Sequence, residues 1–163
     1  MNTDLMFSSA SNEWQTPTKL FKLLNEEFHF TLDPASTDEN HLCEKYYTQK
    51  TDGLSKSWAG ETVYLNPPYG REISKWIKKS YEESLQPDTT VVCLIPARTD
   101  TGYFYNYCSK GEIRFLKGRI KFINRMLPSW REDGNFKITG APFPSCIVVF
   151  GKLSKNTISF VKI

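Results

Sequence analysis

Asn66-Pro67-Pro68-Tyr69 brings together, within four residues, the groups needed to activate a poor nitrogen nucleophile. The amino group of a nucleobase or an amide is weakly nucleophilic because its lone pair is delocalised. It improves when acceptors hold both N–H groups and draw the nitrogen toward tetrahedral geometry. Asn66 offers a side-chain carbonyl for one of them. The backbone carbonyl of Pro67 is available for the other, since proline carries an acceptor and no donor, and the two prolines, Pro67 and Pro68, stiffen the loop that aims it. Tyr69 supplies a flat face on which a base withdrawn from its stack can lie. The same residues also read as a proline turn after a strand, with Tyr69 as a half-buried aromatic. A proline-rich ligand for a recognition domain would need an exposed extended segment, and Val63 and Leu65 in the preceding run Thr62-Val63-Tyr64-Leu65 read as half buried.

That run is the strand that must carry Asn66, and open α/β sheets place their ligands beyond the C-terminal ends of such strands. Two other stretches fall at element ends. In Trp14-Gln15-Thr16-Pro17, Thr16 reads as an N-cap and Pro17 as the first residue of a helix over 17–27, with Leu20, Leu24 and Phe28 on its apolar face. Capping alone accounts for Thr16 and Pro17 without a ligand. Phe28 to Leu32 alternates as a strand and delivers Asp33-Pro34-Ala35 at its end, where a carboxylate can reach the charged part or the ribose of a cofactor. A Gly-rich phosphate turn is missing there, which suits a cofactor without pyrophosphate. Asp52-Gly53 reads either as an acceptor for the amino group of a cofactor's adenine or as a simple turn.

The remaining pattern alternates helix and strand. A short helix is expected from Thr37 toward Tyr46, and a longer one from Arg71 to Leu85 with Ile73, Trp76, Ile77 and Tyr81 inward. Val91 to Ile95 is a continuous apolar run, the pattern of a strand buried on both faces. It ends in Pro96-Ala97-Arg98. A short aromatic helix over 100–108, a strand over 112–116, and a closing antiparallel hairpin around Gly151, built from Cys146–Phe150 and Ile158–Ile163, complete the reading. The fold class that follows is α/β, a doubly wound, mostly parallel sheet with antiparallel C-terminal strands. A chain of 163 residues forms one domain, 1–163, with 1–12 expected to be flexible.

Charge is unevenly distributed. Residues 1–66 hold five Lys and Arg against ten Asp and Glu, and the net charge of +3 leaves +8 for the rest. Lys110, Arg114, Lys117, Arg119, Lys121, Arg125 and Arg131 are interleaved with Phe115, Phe122 and Trp130. That pattern suits a nucleic-acid groove, or an alternating strand with a solvated basic face. Residues 124–140 are polar and aperiodic, the candidate loop for contacting DNA. Arg71, Lys75 and Arg98 are further candidates for phosphate contact. Cys43, Cys93, Cys108 and Cys146 are scattered, without the close pairs of a zinc site, and His29 and His41 suggest no metal centre. No signal peptide and no membrane-span-length apolar run are evident, so a cytoplasmic location is expected.

Asn66-Pro67-Pro68-Tyr69-Gly70, taken together with Trp14-Gln15-Thr16-Pro17, Leu32-Asp33-Pro34-Ala35, Asp52-Gly53-Leu54, Trp58, Trp76, Ile95-Pro96-Ala97 and Gly118-Arg119-Ile120, resembles phage-type DNA N6-adenine methyltransferases of the Dam family over roughly residues 13–150. The resemblance implies a Rossmann-like, S-adenosylmethionine-dependent methyltransferase core and methyl transfer to adenine in DNA. By position it implies that Trp14, Gln15, Thr16, Pro17, Asp33, Pro34, Ala35, Asp52 and Asn66 hold the cofactor, and that Asn66, Pro67, Pro68 and Tyr69 hold the adenine. The Gly-rich loop and the separate target-recognition domain of larger adenine methyltransferases are missing. The four-residue signature is shared with enzymes acting on RNA and on protein glutamine, so those acceptors stay open, as does a catalytically silent nucleic-acid-binding module of the same fold.

Overall fold

The computed structural model describes residues 14–122 and 140–162. Arg125, Trp130, Arg131 and nearly all of the expected DNA-contacting loop lie outside them, as do residues 1–12.

The first helix, α1 (Thr18–Phe28), presents Leu20, Leu24 and Phe28 to the core. It starts one residue later than its sequence suggests. Pro17, with an extended ψ of 133°, occupies the cap position, and no side chain caps the helix. Thr16 is engaged elsewhere. The helix closes with His29 in the left-handed region, its N–H donating to the Asn25 carbonyl. Phe28 therefore belongs to the helix, and the strand expected from it is shorter and later: β1 is Leu32–Asp33. The helix expected from Thr37 is a turn leading to β2 (Lys45–Tyr46).

After a 3-10 turn at Gly53–Ser55, β3 (Thr62–Leu65) leads through the proline signature to α2 (Ile73–Ser84), which buries Ile73, Trp76 and Ile77. Every residue of β4 (Thr90–Pro96) is buried, as its unbroken apolar run implies. The short helix α3 (Gly102–Asn106) and a 3-10 turn at Cys108–Lys110 precede β5 (Glu112–Lys117); β6 (Ser145–Gly151) and β7 (Ile158–Lys162) complete the sheet.

The seven strands are ordered β2-β1-β3-β4-β6-β5-β7. β2, β1, β3 and β4 pair in parallel. β6 inserts antiparallel between β4 and β5, and β7 adds parallel to β5 on the far edge. Six strands therefore run one way and β6 alone opposes them, in a Rossmann-like α/β fold. The hairpin expected around Gly151 does not form, because β5 lies between β6 and β7. The connecting loop is clasped across the start of β5 instead: Glu112 donates its N–H to Ser154 Oγ at 3.1 Å, and its carboxylate accepts from the Lys155 N–H at 2.8 Å.

β1 has β2 on one side and β3 on the other, so the chain leaves β1 in one direction and returns in the other. In open α/β sheets such a reversal of strand order marks the place, beyond the C-terminal edge of the strands, where ligands bind. The segments after β1 and after β3 both end there.

Candidate active site at the β1/β3 switch point

Successive side chains of a strand alternate in direction. Tyr64 and Asn66 therefore share a face, the one that receives the chain entering α1. Tyr64 is 1% exposed, packed edge-on against Phe21 and Phe30 at centroid distances of 5.2 Å. Its hydroxyl lies 2.6 Å from Thr16 Oγ1. Asn66 Nδ2 donates to the Trp14 carbonyl at 2.5 Å and to Thr16 Oγ1 at 3.2 Å. Among the described residues nothing partners the buried Oδ1 of Asn66. The Pro67 carbonyl likewise accepts no backbone hydrogen bond from them. Gly70, at φ +112°, turns the chain out of the signature and toward α2.

Tyr69 differs from the exposed stacking face that its position suggests. It is 6% exposed, and its hydroxyl donates to the Leu94 carbonyl at 3.2 Å. Phe122 and Phe143 stand edge-on to its ring at 6.2 and 5.6 Å, and both also meet Trp14 edge-on. Trp14, Tyr69, Phe122 and Phe143 thus form one aromatic cluster beside the signature. In the chain, Phe122 immediately precedes residues 123–139 and Phe143 follows them by four positions. Burial pushes the phenols of Tyr64 and Tyr69 well above their ordinary range, so both are neutral.

The end of β1 is organised by Asp33, which is 4% exposed. Its Oδ2 accepts from the Leu42 N–H at 3.0 Å and its Oδ1 from the Ala35 N–H at 3.4 Å. Burial raises the carboxyl to about 6 against the pull of those two N–H groups. The structure directs this carboxylate inward, to hold the loop carrying Pro34 and Ala35, where the sequence alone suggested direct reach to a ligand. Asp52 is exposed, in the left-handed region at φ 52°. Gly53 carries it to the end of β1: a Cβ on Gly53 would stand 2.1 Å from the Pro34 carbonyl oxygen, so only glycine permits the approach. Trp58, fully buried, donates from Nε1 to the Gly53 carbonyl at 3.0 Å and fixes that turn.

Residues 14–17, 33–35, 52–53 and 66–69 therefore converge on the switch point. Tyr64, Phe122 and Phe143 belong to the same neighbourhood. Tyr64 announces itself in sequence only by standing two residues before Asn66, and Phe143 by no local pattern.

Residues 5–161 match the family model described as DNA N-6-adenine-methyltransferase (Dam). The chain belongs to this family. A curated Dam relative from Escherichia phage T1, named DNA N-6-adenine-methyltransferase, is 34% identical over 93 residues, covering 56% of this chain and 38% of the relative. Another of the same name, from Haemophilus phage HP1, is 27% identical over 121 residues, covering 71% of this chain and 69% of the relative. The chain thus matches well under half the length of the first and about two thirds of the second.

The expected polyanion contacts are exposed in this Dam-family chain: Arg71, Arg98, Arg119 and Lys121 all reach solvent. Lys75 is also exposed, but it pairs with Glu72 at 2.9 Å. Arg114, counted among the basic stretch, is turned inward to Glu27 and Glu112. Among the described residues no group of three or more His, Cys, Asp or Glu side chains is arranged to hold a metal ion, and no helix is long and apolar enough to cross a membrane.

Proposed function

We propose that this chain transfers a methyl group from S-adenosylmethionine to the N6 amino group of adenine in DNA. The observation that carries the reading is the buried, unpartnered Oδ1 of Asn66 at the C-terminal end of β3. An isolated buried acceptor is costly unless a ligand donor completes it, and an exocyclic amine is such a donor. The family description and the two relatives' names support adenine in DNA as the source of that amine.

The residues at the switch point fit the cofactor. Asp52 offers an exposed carboxylate next to Gly53, whose backbone packs against the Pro34 carbonyl at the end of β1, and a carboxylate there suits hydroxyl or amine donors. Trp14, Gln15, Thr16, Pro17, Pro34, Ala35 and Asp52 would hold it, with Asp33 keeping the loop in shape. When bound, it supplies an electrophilic methyl group.

Asn66 Oδ1 and the Pro67 carbonyl would accept the two amino protons of adenine and stabilise the positive charge that develops on nitrogen. Direct displacement then needs only alignment of amine and methyl group. For the base to stack on Tyr69, Phe122 and Phe143 must yield the position they hold against its ring.

The test is incubation with methyl-labelled S-adenosylmethionine and unmethylated DNA, then digestion to nucleosides and mass spectrometry. Label is expected on N6-methyladenine. Label absent from DNA but present on RNA or on protein glutamine would replace the acceptor. Absence of both transfer and cofactor binding would favour a silent nucleic-acid-binding module.

A further inference from the structure

The amide of Asn66 can act as an acceptor only if its oxygen, and not its nitrogen, faces the incoming amine. Its terminal torsion is intrinsically soft, with two broad wells that exchange O for N. Two partners close that choice. The Trp14 carbonyl can only accept. Turning the amide over would set Oδ1 against that carbonyl oxygen at 2.5 Å with no proton between them. The second Nδ2 proton goes to Thr16 Oγ1 at 3.2 Å. Thr16 is 8% exposed and is itself held by the Tyr64 hydroxyl at 2.6 Å, and that is the only hydrogen bond Tyr64 OH makes among the described residues. Whichever of those two hydroxyls donates, Thr16 Oγ1 keeps a lone pair for Asn66.

We propose that Thr16, braced by Tyr64, is a positioning residue that locks the Asn66 amide with both protons turned away and Oδ1 toward the substrate amine. This rests on the transfer reading above. It assigns the buried tyrosine of β3 a part in the site and gives Thr16 a task apart from any contact with cofactor. The spacing supports it: Tyr64 and Asn66 share one face of the strand, and a single hydroxyl entering α1 reaches both.

Nitrogen-edited NMR reads the two Asn66 side-chain protons directly, assigned by their loss in Asn66→Asp. In the wild type both should exchange with water roughly tenfold or more slowly than those of exposed asparagines. Thr16→Val keeps the shape and removes the acceptor, so one of the two protons should lose its protection, and Thr16→Ser should restore it. In the same variants kcat for methyl transfer should fall about tenfold in Thr16→Val and about threefold in Tyr64→Phe, sizes set by one neutral hydrogen bond. Thr16→Ser should return near to wild type, and the S-adenosylmethionine KM of Tyr64→Phe should stay unchanged.

Asn66 protons left unchanged by Thr16→Val, or a Thr16→Val defect confined to the cofactor KM, would overturn the lock. If Thr16→Val does not fold, Tyr64→Phe, which removes only the brace on Thr16, tests the lock: the same Asn66 proton should lose part of its protection as kcat falls about threefold, and an unchanged proton and kcat would overturn it. A wild-type protein with both protons protected but no N6-methyladenine produced would retain the geometry and overturn the transfer reading, and with it the role assigned to Thr16.

Discussion

At the scale of single residues, the proposed reaction separates groups that would touch substrate from groups that hold them in place. Asn66 belongs to the first set. Asn66→Ala should lower turnover by about two orders of magnitude or more, the usual effect of removing one preorganised transition-state contact, while the dissociation constant for S-adenosylmethionine stays within a few-fold. Stopped-flow transfer and calorimetric cofactor binding measure the two separately. Asp33 belongs to the second set, and its environment makes a pH signature. Its carboxyl rises from an ordinary 3.8 to about 6 on folding, chiefly through burial. The folded state therefore holds the proton more tightly than the unfolded chain. Stability from the protonated form is fully present below about pH 4 and is lost as pH rises through 6, by at most about 3 kcal/mol. Urea midpoints taken between pH 4 and 6.5 should fall in the wild type relative to Asp33→Asn. Parallel curves for the two proteins would remove Asp33 as the titrating group.

Between elements, a bidentate ion pair joins α1 to β5. Arg114 donates from Nη1 and Nη2 to the Glu27 carboxylate, both at 2.7 Å, and from Nε to Glu112 at 2.6 Å. Its guanidinium also lies 5.2 Å from the Phe28 ring centroid. The two carboxylates are unequal partners, because Glu112 is 2% exposed and the Glu27 side chain 42%. Arg114→Met would strand a buried charge at Glu112 and should cost about 3–5 kcal/mol. Glu27→Gln, at the solvated end, should cost about 1 kcal/mol or less. Equal losses in chemical denaturation would mean that burial of Glu112 does not set the cost. This tie also marks what sequence reading can and cannot reach. β3, β4 and α2 were legible because their apolar runs and 3.6-residue spacing are local. So was the convergence of residues 14–17, 33–35 and 66–69, because each stands at an element end. The inward turn of Arg114 was not, since its partner Glu27 is 87 positions away. Nor was the place of β7, which depends on β5 intervening between two strands adjacent in sequence. Thr-Pro carries the local signature of a cap, but Thr16 Oγ1 caps no helix and is bonded instead to Tyr64 and Asn66, 48 and 50 positions away.

Over the whole molecule, topology gathers the exposed positive charge. β3, β4 and β5 run in the same direction, so the segments that follow them emerge at one edge of the sheet: Arg71 after β3, Arg98 after β4, and Arg119 and Lys121 after β5. That edge carries Asn66. Arg119 and Lys121 point to solvent while Ile120 and Phe122 between and after them are buried, and Phe122 contacts Tyr69. Among the described residues these four cations make no ion pair, whereas Lys75 and Lys78 of α2 are matched by Glu72, at the cap of that helix, and by Glu82 within it. A cation already matched by a neighbouring carboxylate releases less counterion on meeting a phosphate than an unmatched one. Each unmatched cation that meets a phosphate should steepen the dependence of log affinity on log salt by about one unit. Fluorescence anisotropy with duplex DNA from about 50 to 300 mM salt, roughly 0.8 of a decade, should therefore show shallower slopes for Arg119→Ala and Lys121→Ala, each by about one, with weakening uniform across DNA sequences. Lys75→Ala and Lys78→Ala should change the slope by clearly less. A slope altered as much by the α2 lysines as by Arg119 would place the DNA on the helical face and away from the strand edge that holds Asn66.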